Sequence, residues 1–250
     1  MALLFNTNSD LGHVPDNAAF DPTVVTVEAW VRTAGLASAT VNHWIFSHLG
    51  SAGNNNNAGF ALSVNHANDT INWFIHDGTA LRSLTGTLNA IVVDTWFHIA
   101  ATYTNPNLRI YIDGVENATN ATGVGALSAS DSKVLIGSRG SDELTTSATE
   151  FFGGDGTISW NAFMKEIRIW NVERTATEIN ANKGKIICTP YPSSLVGYWR
   201  ADENSGTTLT DLIAARNITL VSTAWDNTVN PTISTVCGGV IPNLLLMGVG

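Results

Sequence analysis

Along most of the chain, apolar positions come in short alternating or crowded runs, separated by clusters of Gly, Asn, Ser and Asp. A period of 3.6 residues is nearly absent and a period of two dominates, which predicts many short strands joined by turns. Strands are predicted over 23–31, 43–47, 59–64 and 70–76, with Asp77-Gly78 as a hairpin signal after the last of these. Two more, over 96–103 and 107–112, are joined by Thr104-Asn105-Pro106 and followed by a turn at Asp113-Gly114. Others are predicted over 133–137, 165–170 and 195–200. In 165–170, Ile167 and Ile169 share one face, and Glu166, Arg168 and Trp170 the other. One short helix is predicted near 174–181, where Thr175 and Glu178 have capping-box spacing. Many short strands with one helical turn predict an all-β sandwich.

Three long polar stretches read as loops: 50–59 with its four consecutive asparagines (Asn54 to Asn57), 117–132, and 140–160. There is no internal repeat. From Gly238 to Gly250 the chain is apolar and uncharged, which sets 238–250 apart as a tail following a domain over 1–237. Exposed, Ile241, Leu244, Leu245, Leu246 and Met247 would be an aggregation hazard. The tail therefore either folds back on the sandwich or docks on another subunit as an added strand.

Composition narrows the function classes. Hydrophobic residues make up 44% and charged ones 13%, about half the usual charged share, which excludes a disordered acidic tail or a coiled coil. The surface is left to Asn, Thr, Ser and Gly, as suits assembled particles and extracellular modules. Twelve Lys and Arg against 21 Asp and Glu give a net charge of −9 with no basic patch, so nucleic-acid binding lacks its main electrostatic contribution. No apolar run is long enough to span a bilayer, and no signal peptide is visible after Met1. Cys188 and Cys237 have no zinc spacing. They are either two buried thiols or a bridge closing one C-terminal segment, the latter in an oxidising setting.

Four segments in order resemble a known family: Phe5 to Trp30, ending Thr26-Val27-Glu28-Ala29-Trp30; Trp96 to Tyr103 with Leu108 to Gly114; Met164 to Asn171 with Glu173-Arg174-Thr175; and Leu195 to Arg200 with Glu203-Asn204-Ser205-Gly206 and Asp211. Over residues 2–225 the chain resembles the laminin-G-like, pentraxin-related jelly roll of the concanavalin A-like lectin/glucanase superfamily. The resemblance implies two antiparallel sheets. Within that frame Trp30, Trp96, Trp170 and Trp199 are expected between the sheets. Trp160, in a long loop, is the candidate for stacking on a glycan.

The resemblance also frames the chemistry. Glucanases of this class carry acids two and four positions apart on one strand face, but here Glu166 is followed at those spacings by Arg168 and Trp170. No other strand offers such a set, so no catalytic residue is assigned and glycoside hydrolysis is the least favoured function. Pentraxin-like members hold calcium between neighbouring loops. Asn68 and Asp69 resemble one contributor, and Asp142 and Glu143 the other, although solvated loop acids are the alternative. Lys165 stands where relatives carry an acid. His43 and His48, with four residues between them, are expected on opposite strand faces, so the histidines are not expected to form a metal site. There is no nucleophile elbow, phosphate loop or dinucleotide fingerprint. Four Asn-x-Thr sequons, at Asn68, Asn117, Asn120 and Asn217, are read as chance in an Asn- and Thr-rich chain.

The expectation is a non-enzymatic, surface-displayed binding or structural module, such as a virion decoration or appendage protein of a bacterial virus with a glycan-adhesion role. The alternative is a free extracellular calcium-dependent lectin. The tail would contact other copies or a virion surface protein. The expected location is a virion surface or the extracellular space.

Overall fold

The computed structural model describes residues 2–6, 10–34, 42–49, 58–138, 161–227 and 230–237. In chain order the strands are β1 (Ala2–Phe5), β2 (Leu11–Val14), β3 (Val25–Ala34), β4 (Asn42–Ser47), β5 (Gly59–Asn65), β6 (Thr70–His76), β7 (Leu81–Thr85) and β8 (Trp96–Thr104). They continue with β9 (Asn107–Ile112), β10 (Val115–Asn120), β11 (Val134–Ile136), β12 (Asn161–Trp170), β13 (Leu195–Trp199), β14 (Thr208–Leu209), β15 (Ile218–Val221) and β16 (Ala224–Asp226). The helix α1 (Ala176–Asn182) begins at Thr175, whose hydroxyl accepts from the Glu178 N–H while the Glu178 carboxylate accepts from the Thr175 N–H. No helix among the described residues is long and apolar enough to cross a membrane.

Two eight-stranded antiparallel sheets face each other. The first runs β10-β9-β8-β3-β12-β1-β16, with β13 paired to the second half of β12, and the other runs β14-β15-β2-β11-β4-β5-β6-β7. Alternation fills the space between them: Val25, Val27, Ala29 and Val31 of β3 and Ile99, Ala101 and Tyr103 of β8 point inward to meet Phe60, Leu62, Ile71 and Trp73.

Strand β12 is longer than the sequence pattern suggests because it carries a bulge. Lys165 pairs with Trp30 and Arg168 with Glu28, so one extra residue is accommodated at Glu166, which takes φ +53°. Met164 and Ile167 thus both reach the core, and Lys165, Arg168 and Trp170 stay outside.

The expectation for the tryptophans holds only in part. Trp199 is wholly buried between the sheets. Trp30 and Trp96 are half-buried on the outer face, because their neighbours Ala29, Val31 and Phe97 take the inward positions. Trp170 is buried, but outside the first sheet, with Leu195 and Tyr198. The inward role belongs also to Trp73, which packs near Phe60 and donates its indole N–H across the sandwich to the Thr102 carbonyl, 3.1 Å away.

A disulfide joins Cys188 to Cys237, with 5.7 Å between their Cα atoms. It ties Cys237 to the segment following α1, beside a short parallel bridge from Lys185 to Ser234.

Candidate functional site

Three polar places compare as candidate sites. The first is the outer face of β12, where the acids of a glucanase would sit. Arg168 is fully buried there and donates Nη2 to Glu166 Oε2 (2.7 Å) and Nη1 to Glu28 Oε1 (3.4 Å). The Trp170 indole also donates to Glu28 Oε1 (2.9 Å), and Tyr198 donates to Glu166 Oε2 (2.5 Å). The carbonyls of Asn182, at the end of α1, and of Lys185, just after it, cap the guanidinium from above. Burial alone would raise the Glu28 pKa, but Arg168 leads a set of positive neighbours that holds it below the ordinary carboxylate range. Burial lowers His98 to about 4, against the pull of Glu28. His98 is therefore neutral near pH 7, and its 3.5 Å approach to Glu28 Oε2 is not an ion pair. Both carboxylates are engaged, and Glu28 has no exposed side-chain surface. This arrangement has neither an acid free to protonate a leaving group nor a path for a polysaccharide.

The second place lies at one end of the sandwich. Strands β2 and β4 run in the same direction and both pair with β11, so the loops after β2 and β4 and the loop before β11 meet. They bring Asp16, Asp21 and His48 together, with one oxygen or ring nitrogen of each within 4.8 Å of the others. His48 Nε2 lies 3.1 Å from Asp21 Oδ1, which also accepts the Ser130 N–H (2.7 Å). Partial burial acts to raise Asp21, but the bonds from His48 and Ser130 outweigh it, and its pKa falls below the usual value. Asp16 moves the other way, raised by burial and by its neighbours Asp21 and Asp131. Two carboxylates and an imidazole form a donor set for a divalent cation. Gly59 closes the floor of this place at φ +86°, where a Cβ would collide with the His48 carbonyl.

Sequence reasoning missed this cluster because it placed His43 and His48 on opposite faces. A bulge between Trp44 and Phe46 resets the alternation of β4: His43 pairs with Val64, and His48 packs against Phe60, so both are on the core side. The signals available were an Asp-bearing turn after β2 and a histidine at a strand end, 27 residues and more apart in the chain.

The third place holds half of the predicted calcium set. Asn68 and Asp69 form the β5–β6 turn at the opposite end of the sandwich. The Asn68 carbonyl accepts from Asn89, that of Asp69 from Ala90 and Ile91, and Asp69 Oδ1 lies 3.2 Å from His66 Nδ1. Asp142, Glu143 and Trp160 lie outside the described residues, as do Ile241, Leu244, Leu245, Leu246 and Met247.

Solved structures with this fold include a protein of Bacteroides ovatus to which carbohydrate binding has been ascribed, at TM-score 0.66 and 18% identity over 93% of this chain and 61% of that one. The binding domain of Paraclostridial Mosquitocidal Protein 1 follows at TM-score 0.56 and 12% identity, covering 73% of this chain and 43% of that one. The binding domain of botulinum neurotoxin DC, in complex with SialylT, reaches 0.52 and 14%, covering 71% and 41%. The chain thus spans about six tenths, or less, of these three solved chains. No curated protein sequence matches it. A family model described as the concanavalin A-like lectin/glucanases superfamily matches residues 6–180, and with the two-sheet jelly roll above it the chain belongs to that superfamily.

Proposed function

We infer that this protein is a non-catalytic, surface-displayed module that binds carbohydrate. One observation carries the reading: the strand face on which a hydrolase of this superfamily would work is filled by the Arg168 network and covered by the segment after α1. A jelly roll of this superfamily without that machinery keeps its loops for binding. The fold shared with the Bacteroides ovatus protein supports the choice of carbohydrate, and the disulfide supports a location in oxidising surroundings. Calcium belongs to this reading as a loop ligand, held by the oxygens of Asn68, Asp69, Asp142 and Glu143.

A glycan array probed with the full chain tests it. Retention on saccharides, with no reducing ends released from β-glucan, is expected. Cleavage that vanishes in Glu166→Gln would overturn the non-catalytic part. For calcium, thermal unfolding with and without chelator decides: an ion bound only by the folded state raises the midpoint, and no shift removes it.

A second reading, display on a virus particle through residues 238–250, is favoured by the uncharged apolar sequence of that tail. Light scattering separates the two. Assembly of the full chain, lost in a chain ending at Cys237, supports the particle. Monomers in both cases leave the lectin.

A further inference from the structure

Between the end of β12, helix α1 and the segment following it lies a cavity of about 290 Å³. Trp170 and Arg174 line it on the sheet side, Lys185 stands at its flank, and Pro190, Pro192 and the Cys188–Cys237 bridge complete the wall. Its size is near the lower end of small-molecule pockets, about 300–1,000 Å³, which suits a single ring. Among the described residues no carboxylate lines this cavity, while two cations do. That is the reverse of the chain as a whole, which has 12 basic residues and 21 acidic ones.

Arg174 is the unusual member. It is only 7% exposed, and its guanidinium lies 3.9 Å above the Trp170 ring. Nη2 donates to the Glu178 carbonyl at 3.1 Å, and Nε has no hydrogen-bond partner. The carboxylates nearest to it are committed elsewhere: Glu28 to Arg168 and Trp170, Glu178 to the Thr175 cap. Arg168, earlier in the same stretch of chain, has two carboxylates, whereas Arg174 has none within ion-pair distance among the described residues. A buried guanidinium without a counter-ion presents a ready fork for a carboxylate. The apolar walls match the C–H faces of a pyranose ring.

We propose that this cavity binds a carboxylate-bearing saccharide residue, anchored by Arg174 with Lys185 as the second cation. This rests on the carbohydrate reading above and narrows it to acidic glycans.

The test titrates the full chain with a galacturonic acid trisaccharide and with a neutral galactose trisaccharide, followed by calorimetry. The proteins are wild type, Arg174→Gln, Lys185→Ala and Lys185→Glu. The acidic sugar is expected to bind about tenfold tighter than the neutral one, and more weakly as salt is added. Lys185→Ala should weaken it about threefold and Arg174→Gln about tenfold or more. The Lys185 side chain is exposed and bonds to nothing among the described residues, so its variants keep the test open even if Arg174→Gln fails to fold. Lys185→Glu, which reverses the local sign, should abolish the preference for the acid. Equal binding of the acidic sugar by all four proteins overturns the assignment. So does a neutral sugar or another glycan held equally by all four, which leaves the carbohydrate reading standing. Failure of every saccharide overturns both.

Discussion

Two of the clusters that pair a carboxylate with a histidine, those of Glu28 and of Asp21, differ in closure. Around Glu28 and His98 the side chains are fully buried: an arginine and an indole hold Glu28, a phenol holds the neighbouring Glu166, and two carbonyls cap the arginine. Around Asp21 and His48, the same pair of chemical groups sits at a loop junction, with Asp16 exposed beside it. The first cluster is in the middle of β12, under a helix and a disulfide-tied segment. The second is at the strand ends. Position in the sandwich, more than residue type, decides which cluster is closed off and which borders solvent.

Breaking the closed cluster should have the largest effect. Arg168→Met leaves Glu28 buried without its cation and Glu166 with only Arg200, 3.5 Å away, and a loss of about 3–5 kcal/mol in urea unfolding is expected. A loss under about 1 kcal/mol would mean that the cluster is far wetter than its burial implies. The cover is the next test. Replacing both Cys188 and Cys237 by Ser releases a bridge across a sequence separation of 49 residues, and a loss of about 2–4 kcal/mol is expected. If the midpoint of this variant equals that of wild type, the segment after α1 is held by packing alone.

Much of the fold is legible in the sequence. Periodicity of two marks β6 and β9 at their observed bounds, and Thr175 with Glu178 marks the start of α1. Parity through bulges is what the periodicity does not reveal. One extra residue at Glu166 breaks the alternation of β12, whose pairing with β3 continues back to Asn161, and another in β4 turns His48 to the core side, which hides the Asp16–Asp21–His48 cluster. The tryptophans teach a related lesson. Motif membership suggests that Trp30 is a core residue, yet the alternation Val25, Val27, Ala29, Val31 already assigns it to the other face. Arg174, by contrast, belongs to a recognisable motif, but nothing in its spacing reveals that its counter-ion is missing.

Acid sharpens the comparison further. His98 titrates at about 4 when folded, against an ordinary 6.5, so between those values the unfolded chain binds a proton that the folded one refuses. Stability should therefore fall as pH drops from about 6.5 to 4, by about 1–3 kcal/mol from this residue. His66 and His13, also lowered by burial, add in the same direction. Glu28, lowered when folded, adds its own loss below the ordinary carboxylate range. Urea midpoints at successive pH values, for wild type and His98→Gln, check this. The variant should show a flatter slope in that window, and an unchanged slope would place the proton elsewhere.

The smallest effect is the most diagnostic, because its sign separates a polar turn from a cation site. Ionised Asp16 is disfavoured in the folded state by partial burial and by Asp21 and Asp131. In metal-free buffer Asp16→Asn should then be neutral or slightly stabilising, with solvent screening keeping the gain to roughly a few tenths of a kcal/mol. Asp21→Asn should instead cost about 1 kcal/mol, since Asp21 receives His48 and the Ser130 N–H. If the cluster holds a divalent cation, the same Asp16→Asn change removes a ligand, and it becomes destabilising once the ion is present. Unfolding midpoints of the two variants and wild type, with chelator and then with zinc or manganese, read this sign directly. A sign that stays the same in both buffers makes the open cluster a loop fastening like the closed one, and the contrast between them reduces to depth alone.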